Sequence, residues 1–172
     1  MKILDYTIPK DLSEEIIEFA LHTGVQYFTV NMAGNGRRFC NLNVLTIPLV
    51  HSVAAFSKDC YAKLGIDVKE EPMFGNFIGV NSENAFVQPH KDNRSELGEY
   101  HVRLNFLVQK PENGGNPIIN GIEHEINEGF GWINLASEWV HQSTPVIGKR
   151  NRIVLSLGSF VDQSIAQKFD IR

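Results

Sequence analysis

The second half of the chain, from about residue 72, is a succession of short apolar runs separated by turn residues. The runs are rich in β-branched and aromatic residues and recur at a spacing of roughly ten residues; in order they are MFGNFIGV, NAFVQPH, YHVRLNFLV, NPIIN, GWINLA, EWVHQS and RNRIVLSLGSF. No helical period of useful length runs through this region, so it offers no crossover helices for a parallel sheet. The pattern therefore predicts a mainly β fold, an antiparallel sandwich or jelly roll.

The first 70 residues have a different pattern, which predicts two helices and a hairpin. A capping-box spacing that begins at Asp11 precedes apolar residues at helical intervals and predicts a helix over about residues 11–22. Pro48 fits the first turn of a second and longer helix that runs toward Gly65. Between them, the Asn35-Gly36 pair predicts the tight turn of a β-hairpin. We expect both helices to pack on one outer face of the β structure.

The length of 172 residues, 42% of them apolar, fits one domain with a proper core. We expect a single domain over residues 1–172, in which residues 1–70 form a helical and hairpin support region and residues 71–161 form the β core. No internal repeat, low-complexity segment or linker suggests a boundary.

Charge and cysteine usage exclude several classes of protein. The formal charge is −4, and no stretch concentrates Lys and Arg, so nucleic-acid binding is disfavoured. Cys40 and Cys60 lack a ligand spacing and are interpreted as ordinary thiols of a reducing compartment. The N-terminal sequence has no long apolar run, so we expect neither a signal peptide nor a membrane span, and hence a cytoplasmic protein.

The residues with the clearest chemical meaning are two histidines and one aspartate. His90 and Asp92 stand two apart, so in an extended segment both side chains point to one side and could bind one ion. Alone, this pair could also be a surface turn that faces water. His141, late in the β region, supplies a second imidazole. Two imidazoles and one carboxylate leave three positions open on an iron, as in non-haem Fe(II) oxygenases.

A basic residue after His141 would suit a dicarboxylate co-substrate, because a guanidinium can bind the far carboxylate with two hydrogen bonds. Arg150 and Arg152 are both candidates, and they share one face of the predicted strand. We favour Arg152 because it lies further into the strand, whereas Arg150 stands beside the turn at Gly148 and could be a solvated charge.

Residues 73–161 resemble the 2-oxoglutarate/Fe(II)-dependent dioxygenases, and in particular their prolyl-hydroxylase-like branch. The resemblance rests on FIGVNSENAFVQPHKD, RLNFLVQKPENGGNPII and WVHQSTPVIGKRNRIVLS, in that order. It implies a double-stranded β-helix, a form of jelly roll, with the helices on one outer face. It also assigns His90, Asp92 and His141 to iron and to catalysis, and either Arg152 or Arg150 to 2-oxoglutarate. Asn105 or Arg103 is a candidate for a second co-substrate contact.

The resemblance further implies an oxygenase that needs Fe(II) and 2-oxoglutarate, with ascorbate as a possible stimulant, and that releases succinate and CO2. Its partner would be a small molecule or peptide, and we expect hydroxylation of a peptidyl proline, an amino acid or another small metabolite. One alternative is an aspartyl/asparaginyl-hydroxylase-like oxygenase. Another is a non-catalytic jelly-roll module that binds zinc or another ion at the same three residues. The oligomeric state is left open.

The remaining polar and aromatic candidates have plainer interpretations. Arg37 and Arg38 are interpreted as a solvated hairpin, with a flap over the site as the alternative. Trp139 would either line the iron pocket or belong to the core. The other four histidines are interpreted as structural or solvated; they are His22, His51, His101 and His124.

Overall fold

The computed structural model describes residues 1–30, 34–69, 71 and 75–169 of the chain. In this part of the chain the strands are β1 Lys2–Thr7, β2 Thr29–Val30, β3 Gly34–Asn41, β4 Asn76–Val87, β5 Tyr100–Gln109, β6 Asn113–Gly114, β7 Pro117–Ile119, β8 Ile122–Glu123, β9 Phe130–Leu135, β10 His141–Ser143, β11 Val146–Ile147 and β12 Arg152–Val161. The α-helices are α1 Lys10–Glu18, α2 Pro48–Lys63 and α3 Gln163–Phe169.

The strands form a sandwich of antiparallel sheets. A seven-stranded sheet, here called the major sheet, has the order β1-β9-β5-β12-β4-β3-β2. A three-stranded sheet, the minor sheet, has the order β10-β7-β8, and β11 pairs with β6. Every pairing is antiparallel. The prediction of a mainly β jelly-roll architecture is therefore confirmed.

The two faces of the major sheet have different partners, because side chains alternate along each strand. On β5 and β12, one face is apolar and packs with the first two helices in one continuous core; it carries Val102, Leu104, Phe106, Ile153, Leu155 and Leu157. The other face carries Arg103, Asn105, Arg152 and Ser156 and looks into the interior of the sandwich. Both faces are buried along β12, so this strand is the shared wall of the core and the interior.

Helix α2 begins and ends where the sequence predicts. Pro48 occupies its first turn. At the other end Gly65 adopts a φ of +68°, its N–H donates to the Ala62 carbonyl at 2.9 Å, and the Ile66 N–H donates to the Tyr61 carbonyl at 3.0 Å. This pair of bonds satisfies carbonyls that the helix end would leave open, and it requires a residue that tolerates positive φ.

The predicted first helix is also present, although its last turn is wider. Helix α1 covers Lys10–Glu18, and a π-helical turn continues it over Phe19–Thr23. Strand β1 was not predicted as a strand. It pairs with β9, where Ile3 lies opposite Trp132, so its partner is far away in sequence.

The hairpin prediction is right about its strands and wrong about its turn. Strands β2 and β3 pair, with Thr29 opposite Phe39. Asn35 and Gly36, however, do not connect them: they lie within β3, and the connection at residues 31–33 falls outside the described residues. Gly36 has a φ of +69° and marks a shift in the register between β3 and β4. The positive φ that suits a tight turn serves a β-bulge here.

No helix in the described ranges combines the length and the apolar character that a membrane span requires. Cys40 and Cys60 are both free and buried.

We expect the Tyr61→Phe variant to be less stable by about 1 kcal/mol, because a buried hydroxyl that bridges helix and sheet is lost. Tyr61 is fully buried, and its hydroxyl donates to the Leu157 carbonyl at 2.8 Å and contacts the Val102 carbonyl at 3.3 Å. Urea unfolding measures the difference. Tyr27, which is 43% exposed, provides the control substitution Tyr27→Phe. Equal stability of both variants would contradict the role of this contact.

Candidate active site

A cavity of about 630 Å³ lies between the inner face of the major sheet and the minor sheet. Its walls include the apolar side chains of Phe39, Phe77, Ile119, Trp132 and Val154. Most of the polar groups that the sequence predicts to be functional line the same space. A cavity of this size can hold a small organic ligand.

The two predicted imidazole ligands are brought together by backbone pairing. The His90 N–H donates to the His141 carbonyl at 3.1 Å, and the His141 N–H donates to the His90 carbonyl at 2.9 Å. The pair lies where the chain leaves β4 and where β10 begins. As a result the ring centroids lie 4.2 Å apart, although the residues are distant in sequence.

Each imidazole is oriented by its own backbone neighbour. Nδ1 of His90 lies 2.7 Å from the Gln88 carbonyl, and Nδ1 of His141 lies 3.1 Å from the Trp139 carbonyl. Because a carbonyl can only accept, each Nδ1 carries the proton, and each Nε2 keeps its lone pair for a metal. Burial and the neighbouring His90 lower the pKa of His141 to about 4, so this ring is neutral at pH 7.

Asp92 is held with one carboxylate oxygen free. Its N–H donates to the Ala136 carbonyl at 2.9 Å, which fixes the backbone. Its Oδ2 accepts a 2.7 Å hydrogen bond from Arg103 Nε and lies 3.3 Å from His101 Nδ1. Burial opposes ionisation of this carboxyl, but Arg103 and the nearby imidazoles outweigh burial and lower its pKa to about 2. Oδ1 is thus an ionised oxygen that faces the imidazoles.

The three donor atoms fit one metal ion. Asp92 Oδ1 lies 3.6 Å from His90 Nε2 and 3.7 Å from His141 Nε2, and all three atoms lie within 4.8 Å of one another. Bonds of roughly 2.1 Å to one ion place neighbouring ligand atoms about 3–4 Å apart, so a small inward movement completes the site. Two imidazole nitrogens and one carboxylate are the donor set that non-haem Fe(II) uses.

The structure separates the two candidate arginines. Arg152 begins β12, is 6% exposed and lines the cavity. Its Nε has no hydrogen-bond partner among the described residues. Burial and the charge of Arg37 lower its pKa to about 9, which leaves it protonated at pH 7. Arg150 is exposed on the turn before β12, where its Nη2 lies 2.9 Å from the Glu128 carboxylate.

Arg37 and Asn81 are polar residues of this region that the sequence interpretation missed. Arg37 was interpreted as solvated, but it is 9% exposed, it lines the cavity, and its Nε has no partner within the described ranges. Asn81 is completely buried, and neither atom of its amide finds a partner there. Arg37, Asn81 and Arg152 lie opposite one another on β3, β4 and β12. The alternation of Arg37 with Phe39 along β3 was the available signal.

The other candidates have more ordinary positions. Asn105 lines the cavity and donates from Nδ2 to Asn134 Oδ1 at 3.0 Å. Arg103 is bound to Asp92 and also contacts Glu71 at 3.5 Å, so it supports a ligand carboxylate. His101, interpreted as structural or solvated, is 3% exposed and lies against Asp92. Trp139 belongs to the hydrophobic core.

No family model matches the sequence, and no curated protein matches it in a sequence comparison. Solved structures do match the fold. A Pseudomonas putida prolyl-4-hydroxylase has a TM-score of 0.68 at 17% identity, with 94% of this chain and 92% of that chain covered. A Trichoplax adhaerens prolyl hydroxylase, in complex with a hypoxia inducible factor peptide fragment, has a TM-score of 0.68 at 11% identity, with coverages of 99% and 87%.

A third match is HygX from Streptomyces hygroscopicus, solved with nickel and 2-oxoglutarate, with a TM-score of 0.63 at 8% identity and coverages of 94% and 82%. Two of these three structures are prolyl hydroxylases, and the third holds 2-oxoglutarate and a metal ion. These matches confirm the predicted fold, the double-stranded β-helix with helices on one side. Because the identities are low, the chemistry has to be argued from the residues of the cavity.

We expect the metal-free protein to lose stability as the pH falls from about 6.5 to 4. The pKa values of His101 and His141 are both lowered from 6.5 to about 4, chiefly by burial, so in this window the unfolded chain binds more protons than the folded one. Each imidazole then contributes up to about 1.4 kcal/mol per pH unit. Urea unfolding with a chelator at several pH values measures the slope. The slope should become shallower in His101→Gln; an unchanged slope would contradict this source.

Proposed function

We propose that this protein is an Fe(II)- and 2-oxoglutarate-dependent oxygenase that hydroxylates a small molecule or a peptide. One observation carries the proposal: the metal-binding atoms of His90, Asp92 and His141 converge in the same cavity as the unpartnered guanidinium of Arg152. A metal site alone would be compatible with many functions. A metal site together with a buried, unpaired cation suits a co-substrate that chelates the metal at one end and carries a carboxylate at the other.

Different residues of the cavity would bind the metal and the co-substrate. His90, Asp92 and His141 would hold the iron, and Arg152 would bind the far carboxylate of 2-oxoglutarate. When bound, Fe(II) would supply the redox chemistry by which one O2 oxidises both 2-oxoglutarate, to succinate and CO2, and a substrate C–H bond, with one oxygen atom going to each product. Asn105, which lines the cavity, stays the candidate for the second contact, and its amide already donates to Asn134. Asn81, beside Arg152 in the sheet, has no partner in the described structure but is not among the lining residues.

Two alternative functions have to be compared with this proposal. A non-catalytic module that holds zinc would need the three metal ligands but would have no need of Arg152, and a buried unpaired charge is costly to keep. An aspartyl/asparaginyl-hydroxylase-like activity uses the same metal and co-substrate and differs only in the primary substrate. Peptidyl proline, an amino acid and another small metabolite are the substrate classes to test, and the peptide-bound prolyl hydroxylase among the structural matches supports including peptides.

We further propose that the chain acts as a single domain, because the support region and the β core share one hydrophobic cluster. The free, buried state of both cysteines supports a reducing compartment such as the cytosol.

The deciding experiment is succinate formation from 2-oxoglutarate in the presence of Fe(II) and ascorbate, without a primary substrate. We expect wild-type protein to turn over slowly and the Asp92→Ala variant to form no succinate while it unfolds as cooperatively as wild type, because the substitution removes a metal ligand and leaves the core intact. Asp67→Ala, an exposed carboxylate outside the cavity, is the control. If Asp92→Ala formed succinate at the wild-type rate, the assignment of the metal site would be wrong.

Arg152 and Arg150 should respond differently to the same substitution. Arg152→Ala removes a charge-assisted contact worth roughly 1.5–3 kcal/mol, so 2-oxoglutarate should bind about 10- to 150-fold more weakly. Arg150→Ala removes an exposed cation that already faces Glu128 and should change the affinity only a few-fold, consistent with the small worth of surface ion pairs. Anaerobic calorimetric titration with Fe(II) present measures both. A large defect in Arg150→Ala alone would reverse the assignment.

A further inference from the structure

Arg37 is a buried cationic group in the cavity that the proposed function leaves without a role. It lines the cavity, is nine-tenths buried, and its Nε finds no partner in the described part of the chain. Native proteins rarely keep a buried guanidinium without a partner, because desolvating an unpaired charge is expensive. A ligand of opposite charge is the simplest explanation for its position.

Arg37 and Arg152 start in one row of the sheet, and the charge of Arg37 acts on Arg152, but the two side chains contact different residues. The Arg37 side chain runs along β4: its Nη2 lies 3.2 Å from where a Cβ on Gly79 would stand, and its Cζ lies 5.3 Å from the centre of the Phe77 ring. Gly79 leaves room for this path. Arg152 instead approaches Gly115, with its Cδ 2.8 Å from where a Cβ on that residue would stand.

The direction of Arg37 brings it toward the metal ligands. Arg103, which binds Asp92, stacks on the same Phe77 ring, with its Cζ 4.8 Å from the ring centre. The charges of Arg103 and Asp92 both act on Arg37. A carboxylate held by Arg152 at the far end is therefore badly placed to satisfy Arg37 as well. The anion that Arg37 attracts should lie near the metal end of the cavity.

The formal charges in the cavity indicate which kind of anion Arg37 would bind. Of the charged side chains that line the cavity, Lys91, Arg94 and Glu96 are exposed, and the more buried ones are the three guanidiniums of Arg37, Arg103 and Arg152 and the two carboxylates of Glu71 and Asp92. A divalent metal raises the positive charge by two, and the two carboxylates of 2-oxoglutarate lower it by two. One positive charge is left over. A single carboxylate would neutralise it, whereas a phosphate group, which carries about −1.5 to −2 at pH 7, would exceed it.

We propose that Arg37 binds a carboxylate of the primary substrate, which is therefore a small free acid, such as an amino acid or another carboxylic acid. A proline inside a peptide has no such charge at the reacting residue. This inference rests on the proposed function, because it assumes that 2-oxoglutarate and a metal occupy the rest of the cavity.

The test uses protein loaded with Zn(II) in place of iron and saturated with 2-oxoglutarate. The probes are trifluoroacetate and trifluoroacetamide, which have nearly the same shape and differ by one charge, and fluorine NMR measures their binding. Wild type should bind the acid at least about tenfold more tightly than the amide, as a charge-assisted contact predicts. Arg37→Met should lose this preference, and Arg37→Lys, which keeps the charge but not the planar group, should retain part of it.

The matched control is Arg38→Met, because Arg38 lies on the opposite face of β3 and should leave the preference unchanged. Equal binding of both probes to wild type, or a preference that survives in Arg37→Met, would overturn the proposal. So would a loss of 2-oxoglutarate affinity in Arg37→Met as large as that in Arg152→Ala, since Arg37 would then belong to the co-substrate site. Failure of wild-type, Zn(II)-loaded protein to bind 2-oxoglutarate would instead reject the proposed function and this inference with it.

Discussion

The candidate site depends on two backbone hydrogen bonds between His90 and His141. Each residue donates to the carbonyl of the other, so the chain that leaves the major sheet after β4 is joined to the first residue of the minor sheet. Side chains at such a pair project to the same side. The imidazoles are therefore neighbours because the two sheets close on each other. Since the bonds use only main-chain atoms and each Nδ1 faces a backbone carbonyl, the two Nε2 atoms stay available for a ligand.

The second interaction that holds the site in place is the ion pair between Asp92 and Arg103 of the major sheet. Arg103 donates to Asp92 from β5 and is itself held by Glu71, by the Gly75 carbonyl at 3.2 Å and by Ser156 at 3.5 Å. A guanidinium held in this way keeps the Asp92 carboxylate ionised in a cavity where burial alone would favour its protonated form. It also fixes the rotation of the carboxylate, so that Oδ1 rather than Oδ2 faces the imidazoles.

The sequence predicts those parts of the site that depend on local geometry. His90 and Asp92 point to one side because any extended segment alternates, and α2 ends at Gly65 because the helix end needs a residue with positive φ. The position of Asn35-Gly36 could not be predicted in this way, since a hairpin turn and a β-bulge both use positive φ. Likewise, Arg37 is buried only because β4 lies beside β3 and β12 lies beside β4, and those pairings join distant parts of the chain.

Because long-range strand pairing decides which strand residues are buried, the buried polar groups without partners could not be predicted from the sequence. In the structure, these groups indicate where a ligand would bind. A strand residue such as Arg37 or Asn81 could face water or the interior, and the choice is made by the whole sheet. When such a side chain faces the interior without a partner, its removal from water lowers the free energy of unfolding. A side chain that stays solvated has no such effect. A ligand of opposite charge offsets this loss and binds the folded state alone, so its binding should stabilise the fold. Arg37 and Arg152, which line the cavity from β3 and β12, therefore couple the stability of the major sheet to the occupancy of the cavity.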